Sequence, residues 1–206
     1  LNLDQPIIIF TQHSITTELK NIEKQINPSL SALEVFAKKG FQIIITYPNN
    51  DSGGNQIISK INNLKRKKIK NIKIYKSLGR SIYHGLLALN INNRAKIVCV
   101  GNSSSGIKET PAFFCPTVNI GSRQKGRLRA NNIIDTNYNK DEIIKAINKC
   151  LYNQKFRKIC KKTKNPYYIG GAGKKIANVL NNINIDKKLI QKKMMLKGDL
   201  KNGWHR

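Results

Sequence analysis

Five short apolar runs, each followed by a segment of different periodicity, constrain this chain more than any other feature. They are Pro6–Phe10 (PIIIF), Phe41–Tyr47 (FQIIITY), Ile69–Tyr75, Lys96–Val100 and Thr117–Ile120, with a short sixth at Asn132–Asp135. Their β-branched content and lack of strict polar alternation mark strands buried on both faces. Between them lie helical patterns. Ser29–Lys39 places Leu30, Leu33, Val35, Phe36 and Ala37 at helical spacing and stops at Gly40. The next helix runs through Leu64 with Asp51 or Ser52 as its cap, and Gly79–Ile91 sets Ile82, Leu86, Leu87 and Leu89 on one side. Lys140–Leu151 is capped by Asn139 and turns Ile143, Ile144 and Ile147 inward. Further helices are expected at Asn153–Lys162 and Gly173–Ile183, and a loose, fraying helix at Asp186–Arg206. Strands alternating with helices at this spacing predict an α/β fold: a doubly wound parallel sheet covered on both faces, with ligands at the carboxyl edge.

Three polar loops lead off that edge, Thr11–Glu18, Tyr47–Gly54 and Gly101–Ser104, and a basic loop with Arg123, Lys125 and Arg127 follows Ile120. The stretch Val98–Arg127 therefore reads as strand, Gly/Ser turn, helix, strand, basic loop. Unpaired N–H groups at the helix start, with the helix dipole behind them, favour an anion. Ser103, Ser104 and Ser105 would add hydroxyls suited to a diphosphate; equally, they suit an N-cap with spare serines. Glu109 could accept hydrogen bonds from sugar hydroxyls, or act as a favourable charge in the first turns. His13 is placed at a strand end for acid/base work or a phosphate contact, although spacing alone favours a structural histidine. His84 falls on a helix and His205 in the tail. Asn49 in PNND fits a ligand contact or ordinary turn chemistry.

The formal charge of +27 raises the question of nucleic acid. Only Lys65–Lys68 and Lys161–Lys164 are dense, and no zinc-finger or RNA-recognition signature accompanies them. Cys99, Cys115, Cys150 and Cys160 have no CxxC spacing, which fits a reduced cytoplasmic protein and argues against zinc. No Walker loop, GxGxxG or GxSxG occurs, and no apolar run approaches the length of a membrane span. The chain begins at Leu1 and enters an apolar run almost at once, which suggests part of a longer protein.

GNSSSGIKE followed by PTVNIGSRQKGR closely resembles the C-terminal half of UDP-N-acetylglucosamine 2-epimerases. QHSITTE, Gln12–Glu18, resembles the QH-x-x-TTE motif of the hydrolysing branch, which feeds sialic- and nonulosonic-acid synthesis. YPNNDSGG resembles the PN-x-D-x-G loop, and NPYYIGGAGKKI the NPYG-type motif, with Tyr168-Ile169 in place of the usual glycine. The resemblance runs from Thr11 to about Leu180.

It implies one Rossmann-like half of a two-domain enzyme of GT-B type: a UDP-binding domain over residues 1–185 and a basic tail over 186–206. By position, Ser103, Ser104, Glu109, Arg123 and Asn49 would bind UDP, and His13 would face the diphosphate–sugar site. The implied reaction eliminates UDP from a UDP-2-acetamido sugar and hydrates the resulting glycal to the free 2-epimer, with no cofactor or metal. The implied partners are the UDP-sugar, an N-terminal domain that carries most of the proton-transfer carboxylates, and further copies in a homo-oligomer, with neither nucleic acid nor membrane. Without that domain the chain is expected to be inactive. A GT-B glycosyltransferase would use the same half-fold, but QHSITTE and RQKGR argue against it. A basic nucleic-acid-binding domain is the remaining alternative.

Overall fold

The computed structural model describes residues 1–190, 197–199 and 203–205. By its internal contacts the chain divides into Leu1–Tyr167 and Tyr168–Arg206. In the first unit, strands β1 (Ile7–Thr11), β2 (Gln42–Thr46), β3 (Ile72–Tyr75), β4 (Ile97–Gly101), β5 (Thr117–Ile120) and β6 (Ile133–Thr136) form one sheet. Every pairing is parallel and the order is β3-β2-β1-β4-β5-β6. This is the doubly wound Rossmann arrangement that the alternating pattern predicts.

Side chains alternate across the strands and feed two separate cores. On one face Ile8, Phe10, Ile43, Ile45, Val98 and Val118 meet α1 (Ile22–Lys38), α2 (Gly54–Arg66), α5 (Lys140–Tyr152) and α6 (Gln154–Lys161). On the other, Ile7, Ile9, Ile44, Ile97 and Cys99 meet Leu86 and Leu87 of α3 (Gly79–Ala88). Burial on both faces is why the strands read as continuous apolar runs. Between β4 and β5 lie α4 (Ser105–Lys108) and a 3₁₀ turn, Thr110–Phe113.

Several expectations need correction. Helix α1 begins seven residues before Ser29, at Ile22, and contains Pro28. The apolar stripe Ile22, Ile26, Leu30, Leu33 is buried throughout, so packing outweighs the backbone bond that Pro28 cannot donate. Helix α2 has neither Asp51 nor Ser52 as its cap; the residue before it is Gly53, at φ +85°. A Cβ there would lie 2.5 Å from Ile22 Cδ1, so glycine is required by both conformation and space. In α3, Leu86 and Leu87 are buried but Ile82 is 60% exposed, off the expected face. Asn139 does cap α5, accepting from the N–H groups of Asp141 and Glu142.

The second unit holds α7 (Ala172–Asn182), α8 (Lys187–Ile190), and two strands, β7 (Lys197–Asp199) and β8 (Gly203–His205), paired antiparallel. These strands replace part of the helix expected over Asp186–Arg206; residues 191–196, 200–202 and 206 of that stretch lie outside the described residues. Helix α7 buries none of its residues and exposes Ile176, Val179 and Leu180 on one stripe. Among the described residues no helix is long and apolar enough to cross a membrane.

Candidate functional site

In this strand order the chain leaves β1 towards β2 on one side, and β4 returns on the other. The loops after β1 and β4 therefore diverge and open a crevice at the carboxyl edge. A cavity of about 670 Å³ lies there, walled by the ends of β1 and β2, the start of α3, and the turn after β4. Gly101 closes β4 at φ +127°, and a Cβ on it would sit 1.9 Å from the Thr11 carbonyl oxygen. Only glycine lets the β4 turn begin this close to β1.

His13 follows β1 and lines the cavity. Its main chain is held by Asn102, which is buried: Asn102 Oδ1 accepts from the His13 N–H at 2.6 Å, and Asn102 Nδ2 donates to the His13 carbonyl at 2.9 Å. The ring meets the PNND loop. Nδ1 stands 3.0 Å from both the backbone N and the side-chain Oδ1 of Asn49, so either neutral tautomer finds a partner. Burial holds the His13 pKa below its ordinary 6.5, and the Arg123 guanidinium lowers it further, while Asn49 and Asp51 oppose the shift. The ring is neutral at neutral pH.

Gln12, in the same motif, turns the other way. It donates to the Gln25 carbonyl at 3.0 Å and accepts from Ser29 at 2.7 Å, tying the loop to α1. Glu18 accepts from Gln25 at 2.6 Å and from Ser122 at 3.1 Å, linking this loop to the one after β5. Most of QHSITTE is thus scaffold, and His13 is the part that faces the cavity.

The three serines are not equivalent. Ser103 lines the cavity and its Oγ accepts from the Ser105 N–H at 3.3 Å. Ser104 precedes α4, and its carbonyl accepts from the N–H groups of Ile107 and Lys108. Ser105 is engaged elsewhere, donating to the Tyr83 hydroxyl at 2.7 Å. That hydroxyl also lies 3.5 Å from Cys99 Sγ. Burial pushes the Tyr83 pKa well above 10 and that of Cys99 to about 11, so both stay protonated.

The helix behind these serines is a single turn of four residues, which weakens the dipole expected from the sequence. What remains for an anion is local: hydroxyls, N–H groups and nearby cations. Glu109 is the residue that ends this turn rather than one inside a long helix. It lines the same cavity, and its Oε2 lies 2.6 Å from His84 Nε2 on α3.

Arg123 follows β5. Its Nη1 donates to the Asn102 carbonyl at 3.2 Å, and its Nη2 is 3.7 Å from Asp51. Burial lowers its pKa while Asp51 raises it, and the guanidinium stays charged. Gln124 donates to the same carbonyl at 2.7 Å. Lys125 and Arg127, expected at the same edge, are exposed. Asn102 therefore joins the loops after β1, β4 and β5, with His13 on its side chain and Arg123 on its carbonyl.

Of the candidates, His13, Ser103 and Glu109 share the cavity wall, Asn49 reaches it through His13, and Ser104 and Arg123 adjoin it. Sequence reasoning missed Asn102, Tyr83 and the part His84 plays. Asn102 left a faint signal, an amide directly after a strand; His84 left none, because its partner is 25 residues away. Lys76 and Arg80 add positive charge to the wall, which suits an anionic ligand. Among the described residues no cluster of three or more His, Cys, Asp or Glu could hold a metal ion.

Comparison with known proteins supplies the kinship. The profile of the UDP-N-acetylglucosamine 2-epimerase family matches residues 2–181. A Campylobacter jejuni protein named GDP/UDP-N,N'-diacetylbacillosamine 2-epimerase (hydrolyzing) is 38% identical over 139 residues, 68% of this chain and 34% of its own length. A Legionella pneumophila UDP-N,N'-diacetylbacillosamine 2-epimerase (hydrolyzing) is 29% identical over 189 residues, 92% of this chain and 46% of its own. The chain thus spans less than half the length of these curated relatives. Its fold matches the Methanocaldococcus jannaschii UDP-GlcNAc 2-epimerase, solved in complex with UDP-GlcNAc and UDP, with a TM-score of 0.64 at 17% identity, covering 87% of this chain and 46% of that one. On the span of the profile match, the chain belongs to the UDP-N-acetylglucosamine 2-epimerase family.

Proposed function

We propose that this chain is the nucleotide-binding half of a hydrolysing 2-epimerase acting on a UDP-2-acetamido sugar, with the UDP site carried by residues 1–185 and the tail from 186 outside it. The observation that carries the reading is the convergence of His13, Ser103 and Glu109 on one cavity at the switch point of the sheet. Ser103, Ser104 and Arg123 hold the diphosphate, Glu109 accepts the ribose hydroxyls, and Asn49 fixes the His13 ring beside the diphosphate–sugar junction. Most relatives named above carry "hydrolyzing" in their names, which supports that branch.

The reaction this implies removes the proton at C2 of the sugar and breaks the bond between C1 and the diphosphate oxygen. UDP departs and a 2-acetamidoglucal is left; water then adds across the double bond to give the free 2-epimer. The contribution of this chain is to the leaving group. Charge builds on the diphosphate as the C1–O bond breaks, and a fixed guanidinium and hydroxyl donors stabilise it more in the transition state than in the bound substrate. The bases that move the C2 proton belong to an N-terminal domain not present in this chain. The exposed Ile176, Val179 and Leu180 stripe of α7 is the kind of surface a further domain of the same protein would cover. Calorimetric titration of the chain with UDP tests the reading: saturable heat is expected, and its absence would refute the site.

A further inference from the structure

The geometry points to His84 as a positioning residue that aligns Glu109 for the ribose diol and so sets the preference of the site for ribonucleotides over deoxyribonucleotides. The inference rests on the UDP reading above and adds a residue that the family motif does not contain. His84 lies on α3, far in sequence from the serine turn, yet its ring and the Glu109 carboxylate line the same cavity. His84 Nε2 and Glu109 Oε2 are 2.6 Å apart. A carboxylate only accepts, so the Nε2 proton must be on the ring and donate to it.

The imidazole is itself held. It packs on the Phe113 ring, centroids 5.1 Å apart, and Asn90 Nδ2 fixes the segment behind that ring by donating to the carbonyls of Phe113 at 3.2 Å and Phe114 at 2.9 Å. Glu109 has no such support from its own segment. It ends a one-turn helix, its side chain is 41% exposed, and among the hydrogen bonds of the described residues its carboxylate has His84 alone as partner. A long, half-exposed carboxylate left to itself samples many rotamers, and ordering it on ligand binding costs affinity. The bond from His84 fixes one oxygen in advance and leaves Oε1 and the second lone pair of Oε2 to receive two vicinal hydroxyls. A nucleotide with no hydroxyls there gains nothing from this alignment.

Discrimination is therefore the readout, since a purely structural His84 would affect both kinds of nucleotide alike. The full chain is titrated with UDP and with 2′,3′-dideoxy-UDP, in wild type, His84→Phe and His84→Gln. Phenylalanine keeps the packing on Phe113 and deletes the donor, and glutamine restores an amide donor at similar reach. Wild type is expected to prefer UDP by about tenfold or more, the worth of a hydrogen bond to a charged group. His84→Phe should weaken UDP by about tenfold and leave the dideoxy analogue unchanged, and His84→Gln should recover most of the preference. Equal weakening of both ligands, or a preference untouched by His84→Phe, overturns the inference while the UDP site stands. Failure of wild type to bind UDP removes the site reading and this inference with it. Should His84→Phe not fold, His84→Asn, polar but too short to reach Oε2, carries the same expected loss of preference and the same refutation.

Discussion

Asn102 grips the main chain of His13 at both ends of its side-chain amide, accepting from its N–H at 2.6 Å and donating to its carbonyl at 2.9 Å. The two residues are 89 positions apart and belong to neighbouring strands' loops. Replacing Asn102 with alanine leaves both groups of His13 without partners in a part-buried setting. Each such loss costs about 1–3 kcal/mol. We expect Asn102→Ala to lower unfolding stability in urea by about 2–4 kcal/mol and to weaken UDP binding as well, since the side chain it removes holds the main chain of His13 at the cavity wall. A variant as stable as wild type would show that the clamp contributes little.

Arg123 should be the largest single contributor to UDP affinity in the loop after β5. Loss of a charge-assisted contact to phosphate costs about 1.5–3 kcal/mol, so Arg123→Ala should raise the Kd for UDP by about ten- to a hundredfold. Ser104→Ala, which removes a neutral hydroxyl, should cost about 0.5–1.5 kcal/mol. Calorimetry on the three proteins checks the order. Equal affinities across them would remove both residues from the diphosphate site.

The His13 ring should titrate below 6.5, because burial and then Arg123 disfavour its charged form. The unfolded chain takes up this proton first as pH falls through 6.5, so the folded state loses stability towards acid pH until the folded ring also protonates. Bound diphosphate brings negative charge beside the ring and opposes Arg123, so UDP should move the midpoint upward. NMR of the His13 ring protons, with and without UDP, measures both; a midpoint above 6.5 in the free protein contradicts the burial argument.

All four cysteines are buried, and burial raises the thiol pKa of Cys99 and of Cys160 to about 11. Thiolate is the reactive form, so native protein at mildly alkaline pH should resist alkylation at these positions. Mass spectrometry after iodoacetamide should find native Cys99 unmodified and the denatured chain labelled. Rapid labelling of the native protein at Cys99 would mean that the cavity floor opens.

Catalysis separates binding from chemistry. The chain should bind UDP yet release none from UDP-N-acetylglucosamine, because among the described residues Glu109 is the one carboxylate lining the cavity, and it is engaged by His84. A coupled assay for free UDP reads this directly, and turnover by the chain would refute the division of labour.

The sheet was legible because both of its faces are buried: Ile7–Phe10 and Ile43–Ile45 are apolar without interruption, and that pattern leaves few alternatives. Individual helix ends were less so. The apolar spacing begins a helix at Ser29, just after Pro28, yet Ile22 and Ile26 pack well enough to carry the helix through the proline. Gly53 sits where Asp51 and Ser52 looked like caps, because the backbone must turn with positive φ under Ile22, a constraint that comes from tertiary contact. Within the site, the motifs single out His13, Ser103 and Glu109, which share the cavity wall, but not the residues that hold them. Asn102 and His84 act through partners brought near only by strand order and by the docking of α3, and no local spacing encodes that.

The strand order also governs when a site can exist. Pairing β1 with β4 joins residues about ninety positions apart, and closing a loop of that length comes at a higher entropic cost than the local β1–α1–β2 contacts. A refolding chain can therefore assemble β1, β2 and β3 while its two halves of the cavity wall are still apart. Nucleotide added during refolding would find no binder until that late pairing, and from then on would slow unfolding, so the ligand works as a clasp on the last seam of the fold to close.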